Sequence, residues 1–292
     1  MSGMPPLFPT VLVGAALSPH TDALLHEAWR LTEKLGERLI VAHATTGNAE
    51  EARQELEGRV SRNLPFGAKA EVVVVESGRA AGVLTEIAAE RKVDLILAGA
   101  LAQERLITRL IGSVARRLAR EAPCSVLLLP SEKDRALPFR IIVVSVDASD
   151  EAEAALAVAT SLARRDPPEK LVAMWEYQVP GLAMALAGGS DAESRAQRDE
   201  VQHEEEAQLA SLLRTADLTN LPVEAVCRYG EPGWVVSEYA RTAGADLLVV
   251  PAPSGGGGIV DRLFAAGTDV VLRRLSYSVL LVRQAGLAAR EG

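Results

Sequence analysis

The chain has 292 residues, 48% of them hydrophobic and 24% charged, enough apolar material to fill two cores of ordinary size. Its formal charge of −8 excludes a broad basic surface of the kind that holds nucleic acid by releasing counterions. No apolar run reaches the roughly 18 residues of a membrane span, and the opening MSGMPPLFPT lacks a basic segment followed by an apolar one, so the expectation is a cytoplasmic protein without membrane contact.

In chain order, short aliphatic runs alternate with longer amphipathic stretches. The runs VLVGA, LIVAH, EVVVV, DLILAG and SVLLLP read as five strands. Between them, apolar residues recur three or four apart, as at Leu24, Leu25, Ala28, Leu31 and Leu35, which is the spacing of a helix face. Strands that are apolar throughout, rather than alternating, are covered on both faces, so a parallel doubly wound sheet is expected. The segment SEKDRALP, closed by Pro138, reads as a linker. The same punctuation then restarts with strands at Ile141–Asp147, Leu171–Tyr177, Val223–Arg228, Asp246–Pro251 and Ser278–Arg283. Between the second and third of these, Asp191–Arg214 reads as one long surface helix whose acidic run is a solvated face.

The restart is an internal repeat. TVLVGAALSPHTDALLHEA from Thr10 aligns without a gap on IIVVSVDASDEAEAALAVA from Ile141, which sets Ala16 against Asp147 and Ser18 against Ser149. SGRAAGVLTEIAAERKVDLILAG from Ser77 matches YGEPGWVVSEYARTAGADLLVVP from Tyr229, and CSVLLL from Cys124 matches YSVLLV from Tyr277. The predicted architecture is therefore α/β, with two tandem doubly wound domains, each a five-stranded parallel sheet of order 3-2-1-4-5 with helices on both faces. The expected division is residues 1–131, a linker at 132–138, and residues 139–292.

Ligands of such sheets bind beyond the carboxyl ends of the strands, where the strand order reverses. The first strand ends in Ala16 and Ser18 in one half and in Asp147 and Ser149 in the other. The fourth ends at Gly99 in one half and runs into PAPSGGGG in the other. A small dipeptide opens the last helix of each half, Gly112-Ser113 and Gly267-Thr268. Glycine lets a phosphate approach the backbone, the hydroxyl adds a donor, and the helix start supplies free N–H groups. Each feature also has a plain structural use: Gly99 and Gly112 for close helix–strand packing, the four glycines for a flexible turn, and Asp147 for capping the helix near Asp150. Arg105, Arg109, Arg116 and Arg117 either meet phosphates or form a solvated helix face. Trp175 either lines the crevice or fills the core, and His43, read as lying just past the second strand, is expected to pack rather than ligate.

His20, His26, His43 and His203 lack metal-ligand spacing, and Cys124 and Cys227 stand alone, so neither a metal centre nor a disulfide framework is expected. There is no G-x-S-x-G elbow and no Walker lysine. The expectation is a binding module rather than an enzyme, with at most weak ATPase activity.

On these residues the whole chain resembles the universal stress protein family, two copies of its domain in one polypeptide. Nucleotide-binding members carry an aspartate after the first strand. After the fourth they carry a glycine, two residues, a glycine, nine residues, then glycine with serine or threonine. The first half keeps that spacing through Gly99, Gly112 and Ser113 but has Ala102 at the second glycine and Ala16 for the aspartate. The second half has Asp147, Gly257, Gly267 and Thr268, with Ser254 at the first glycine's place and a loop three residues longer. The resemblance implies a stress-responsive protein that binds ATP or AMP, with Mg²⁺ as the companion ion, or binds none, and that associates through its sheets. Asp147 would receive the nucleoside and the glycine loop the phosphates. If the pockets are degenerate, the chain is a scaffold in which the duplication supplies an internal pseudo-dimer paired through the last strand of each half, with further pairing into a homodimer left open.

Overall fold

The computed structural model describes residues 4–100, 112–130, 138–178, 191–231, 233–252 and 277–283. The first half supplies β1 (Thr10–Gly14), α1 (Thr21–Leu35), β2 (Arg38–Thr45), α2 (Ala49–Asn63), β3 (Ala70–Glu76), α3 (Ala80–Glu90), β4 (Leu95–Ala100), α4 (Ser113–Glu121) and β5 (Ser125–Pro130). The second supplies β6 (Ile141–Val146), α5 (Asp150–Arg165), β7 (Lys170–Tyr177), α6 (Asp191–Thr215), β8 (Val223–Tyr229), α7 (Trp234–Thr242), β9 (Leu247–Pro251) and β10 (Ser278–Val282).

All ten strands form one sheet, in the order β3-β2-β1-β4-β5-β10-β9-β6-β7-β8. Each half thus has the expected order 3-2-1-4-5, and every neighbouring pair is parallel except β5 with β10. That antiparallel seam, with Leu127 opposite Leu280, joins the halves through their last strands. The central strands bury consecutive residues, because side chains alternate between two covered faces. Val11 and Val13 enter one apolar cluster and Leu12 the other, and each cluster runs through both halves. On one face lie Leu25 and Leu31 of α1, Leu56 of α2, Leu156 of α5 and Leu209 of α6. On the opposite face lie Leu84 of α3, Leu118 of α4 and Val236 of α7. The acidic stretch of α6 is exposed at Glu204 and Glu206, with Leu209 the point at which the helix docks.

One device is duplicated residue for residue. Asp94, just before β4, accepts a hydrogen bond from the Thr10 N–H at 2.8 Å, and Asp246, just before β9, accepts from the Arg140 and Ile141 N–H groups at 2.9 and 3.1 Å. In both halves a carboxylate pins the start of the first strand against the fourth.

Beyond the sheet seam, α1 touches α5, and Arg30 bonds to Glu27 in its own helix and to Asp166 just past α5. Lys34 pairs with the same Asp166, and the Arg30 guanidinium lies 5.0 Å from the centroid of the Phe139 ring. Arg283, following β10, donates to the Ala119 carbonyl at 2.7 Å and so ties the second half to α4.

Candidate functional site

The strand order reverses at β1 in the first half and at β6 in the second, so the crevices open at the ends of those two strands. Asp147 follows β6 directly and is half-buried. Its Oδ1 accepts from the Ser149 N–H at 2.9 Å and from the Ser149 hydroxyl. Ser149 Oγ in turn accepts from the Ala152 N–H at 3.2 Å, which makes Ser149 the N-cap of α5. The capping role assigned to Asp147 therefore belongs to Ser149, and Asp147 holds the cap in place through one oxygen. Among the described residues Oδ2 has no hydrogen-bond partner.

Beside Asp147 stands a residue the motif search passed over. Val146 pairs with Trp175 across β6 and β7, so Glu176 is the next position in register with Asp147. Glu176 is only 5% exposed. Its carboxylate accepts from the Gly233 N–H at 2.9 and 3.1 Å and from the Val236 N–H at 2.7 Å, satisfying donors at the start of α7. Gly233 adopts φ +85°, a conformation side chains disfavour, and presents its N–H to the acid. Burial pushes the Glu176 carboxyl up to about 7; the backbone donors oppose that shift and the charge of Asp147 adds to it. The signal was present in LVAMWEY, where Glu176 is the single charge in an otherwise apolar and aromatic strand end.

The other face of β7 carries Trp175 and Tyr177. Trp175 is 4% exposed and donates its indole N–H to Glu205 of α6 at 2.7 Å, so it fills the core beneath α6. Tyr177 meets Tyr229 edge-on, ring centroids 5.7 Å apart, and Tyr229 and Trp234 are both half exposed.

The first-half crevice has different chemistry at the same positions. Ala16 is exposed where Asp147 stands, and the register places Ala44 where Glu176 stands and His43 where Trp175 stands. His43 lies within β2 rather than beyond it, and its Nδ1 is 2.7 Å from the Ala15 carbonyl. Ser18 is held by its own N–H, which donates to Thr21 Oγ1 at 3.0 Å. A Cβ built on Gly99 would meet no described atom within 4 Å. Gly112 is the N-cap of α4 and Ser113 its exposed first residue, with Arg116 and Arg117 on the exposed face and Arg117 bonded to Glu121. Ala102, Arg105 and Arg109 lie outside the described residues, as do Ser254, Gly257, Gly267 and Thr268 of the second-half loop.

Elsewhere, a cavity of about 510 Å³ lies at the opposite, amino end of the sheet, lined by Val60, Leu64, Phe66 and Val72 among others. Among the described residues no group of three His, Cys, Asp or Glu could hold a metal ion, and no helix is long and apolar enough to cross a membrane. Cys124 and Cys227 are free, and burial pushes their thiols up, to about 12 and about 11.

Two tandem sets of strands in the order 3-2-1-4-5, joined into one sheet with helices on both faces, define a Rossmann-like α/β class. Within it, the chain belongs to the universal stress protein family, whose description matches residues 8–130 and again residues 138–283. A universal stress protein of Mycobacterium tuberculosis is 26% identical over 268 residues, covering 88% of this chain and 80% of that protein. The fold also matches a universal stress protein from Archaeoglobus fulgidus (TM-score 0.61, 16% identity, 95% of this chain and 97% of that one). A further match is a putative universal stress protein from Pseudomonas aeruginosa (TM-score 0.62, 15% identity, 97% of each chain).

Proposed function

We propose that this universal stress protein is a cytoplasmic regulator or sensor that binds an adenine nucleotide, ATP or AMP, in its second half. The observation that carries the reading is Asp147: a half-buried carboxylate at the switch point, with one oxygen fixing the start of α5 and the other without a described partner. An acceptor with no partner among the described residues, beside a helix start, suits a ribose hydroxyl or a base amine. Ser149, Ser254, Gly257, Gly267 and Thr268 complete the site in this reading, the last four as the loop that takes the phosphates, with Mg²⁺ arriving on the phosphates of ATP. The first half offers Gly99, Gly112 and Ser113 as a weaker second cradle, since Ala16 can orient no nucleoside. The functional units are residues 1–131 and 139–292, joined by 132–138.

The test is thermal unfolding of the full chain, stripped of ligand, with and without ATP or AMP and Mg²⁺. A ligand at a hundred times its Kd that binds only the native state adds about 2.7 kcal/mol. The midpoint rises in the parent and in Ser18→Ala. It stops rising in Asp147→Ala, and Asp147→Asn, which keeps the acceptor of the turn, separates the charge from the cap. No shift with either nucleotide overturns the reading and leaves a scaffold in which β5 and β10 hold an internal pseudo-dimer.

A further inference from the structure

Both halves enter their third strand through the same kind of turn, and the two turns carry opposite residues. In the first half the Ala68 N–H donates to the Pro65 carbonyl at 3.0 Å, and Gly67 takes φ +85°. In the second the Leu221 N–H donates to the Leu218 carbonyl at 3.1 Å, and Asn220 takes φ +62°. The corners of that second turn are Thr219 and Asn220, both exposed, and polar as turn corners usually are. At the matching corner of the first stands Phe66, whose side chain is fully exposed. The ring of Pro65 before it and the closed hydrogen bond around it hold the Phe66 backbone in place, so little freedom is lost when the side chain makes a contact.

Beside this ring lies the cavity of about 510 Å³, a groove between the end of α2 and the start of β3 walled by Val60, Leu64, Ala70 and Val72, with exposed Glu57 and Ser61 at its rim. A protruding phenyl ring next to an apolar recess is a knob and a hole on one surface patch, which is what a twofold contact between identical copies requires. We propose that two copies of this chain associate through this patch, each Phe66 entering the groove of the other. Charge favours a second copy as the occupant. Phe66 is flanked by exposed Arg62 and Lys69 while the groove carries Glu57, and none of the three is in an ion pair among the described residues. The exchange therefore brings a basic pair towards an acid in both directions. Access favours it too: β3 is an outer strand of the sheet, so a second copy reaches the patch without disturbing the β5–β10 seam. Two aromatic rings and the walls they cover remove roughly 600–1,000 Å² from water, less than a standard stable interface, so the dimer is weak and concentration-dependent.

The experiment is sedimentation velocity of the ligand-free full chain from low to high micromolar concentration. The parent is expected to shift from monomer towards dimer as concentration rises. Phe66→Asp removes the knob and Ser61→Tyr fills the groove from an exposed position, and each weakens association by about 30-fold or more. Thr219→Asp, at the corresponding corner of the second half, associates as the parent does. An equimolar mixture of Phe66→Asp and Ser61→Tyr regains part of the association, because one intact knob then meets one intact groove. A parent that stays monomeric throughout overturns the proposal and leaves the groove to a different occupant. So does a dimer that persists in both variants, or a mixture that associates no better than either variant alone. Thermal midpoints are measured alongside; if that of Phe66→Asp falls, Phe66→Ser, which adds no charge, takes its place in every comparison. None of these readouts needs a nucleotide, so the self-association and the nucleotide reading can fail separately.

Discussion

The two halves have the same strand order, the same aspartate pin at Asp94 and Asp246, and opposite chemistry at the ends of their first two strands. Where one half presents Ala16, His43 and Ala44, the other presents Asp147, Trp175 and Glu176. The shared features lie in the sheet and at its amino end; the differing ones lie at the carboxyl ends, above the switch points. The difference teaches that duplication fixed the scaffold twice and left the ends of the first two strands with Ala16, His43 and Ala44 in one half and with two carboxylates, Asp147 and Glu176, in the other. The seam that keeps the halves together, β5 against β10, is far from both sets of substitutions in the sheet order, so the crevices could diverge without altering how the halves join.

The largest effect comes from breaking the seam that makes the halves comparable at all. Leu280 is 2% exposed, faces Leu127 across the antiparallel pair, and sits in a cluster drawn from both halves. Leu280→Ala removes buried methyl groups and leaves a cavity, at a cost of about 2–5 kcal/mol. Denaturant unfolding followed by Trp29 in one half and Trp175 in the other should show both transitions moving together. A shift confined to the second half would show that the seam does not couple them.

Next in size is the pH dependence that separates the halves. The Glu176 acid is raised from 4.5 to about 7, so between those values the folded chain holds a proton that the unfolded chain has released. The stability this group contributes is full below about pH 4.5 and is lost as pH rises through about 7, because burying the charge costs more than its hydrogen bonds return. The loss amounts to roughly 3 kcal/mol. Unfolding free energies measured between pH 5 and 8 should fall in the parent and fall less steeply in Glu176→Gln. Equal slopes would remove Glu176 from the account of the asymmetry.

Much of this was legible in the amino-acid sequence, and the reason is physical. Apolar strands of five to eight residues, amphipathic helices and a gapless internal repeat are local signals, and together they give the strand order of each half of the sheet. Asp147 was legible because the repeat sets it against Ala16, a contrast visible in two aligned lines. Glu176 was not, because its role depends on β7 meeting α7 across 57 residues of chain, a distance that no periodicity reports. The ion cluster of Arg30, Lys34 and Asp166 escaped for the same reason, since α1 and α5 become neighbours only after the halves have joined. Asp94 and Asp246 were read as strand residues because a pin and a strand start look alike in a single line.

The smallest effect tests the comparison at a single hydroxyl. Ser149 caps α5 by accepting from the Ala152 N–H, and its own hydroxyl is held by Asp147. Ser18, its counterpart, does not cap α1: the N-cap position there is His20, which makes no side-chain cap bond, and Ser18 contributes its backbone to Thr21 and Arg59. Ser149→Ala should therefore cost about 1 kcal/mol, while Ser18→Ala should stay within about 0.5 kcal/mol. Paired unfolding curves of the two variants read the difference directly. The first variant also frees Asp147 Oδ1 from a donor without touching the Asp147 charge. If nucleotide stabilisation survives in Ser149→Ala and vanishes in Asp147→Ala, the carboxylate itself is what the crevice uses, and the turn over Ser149 serves only to aim it.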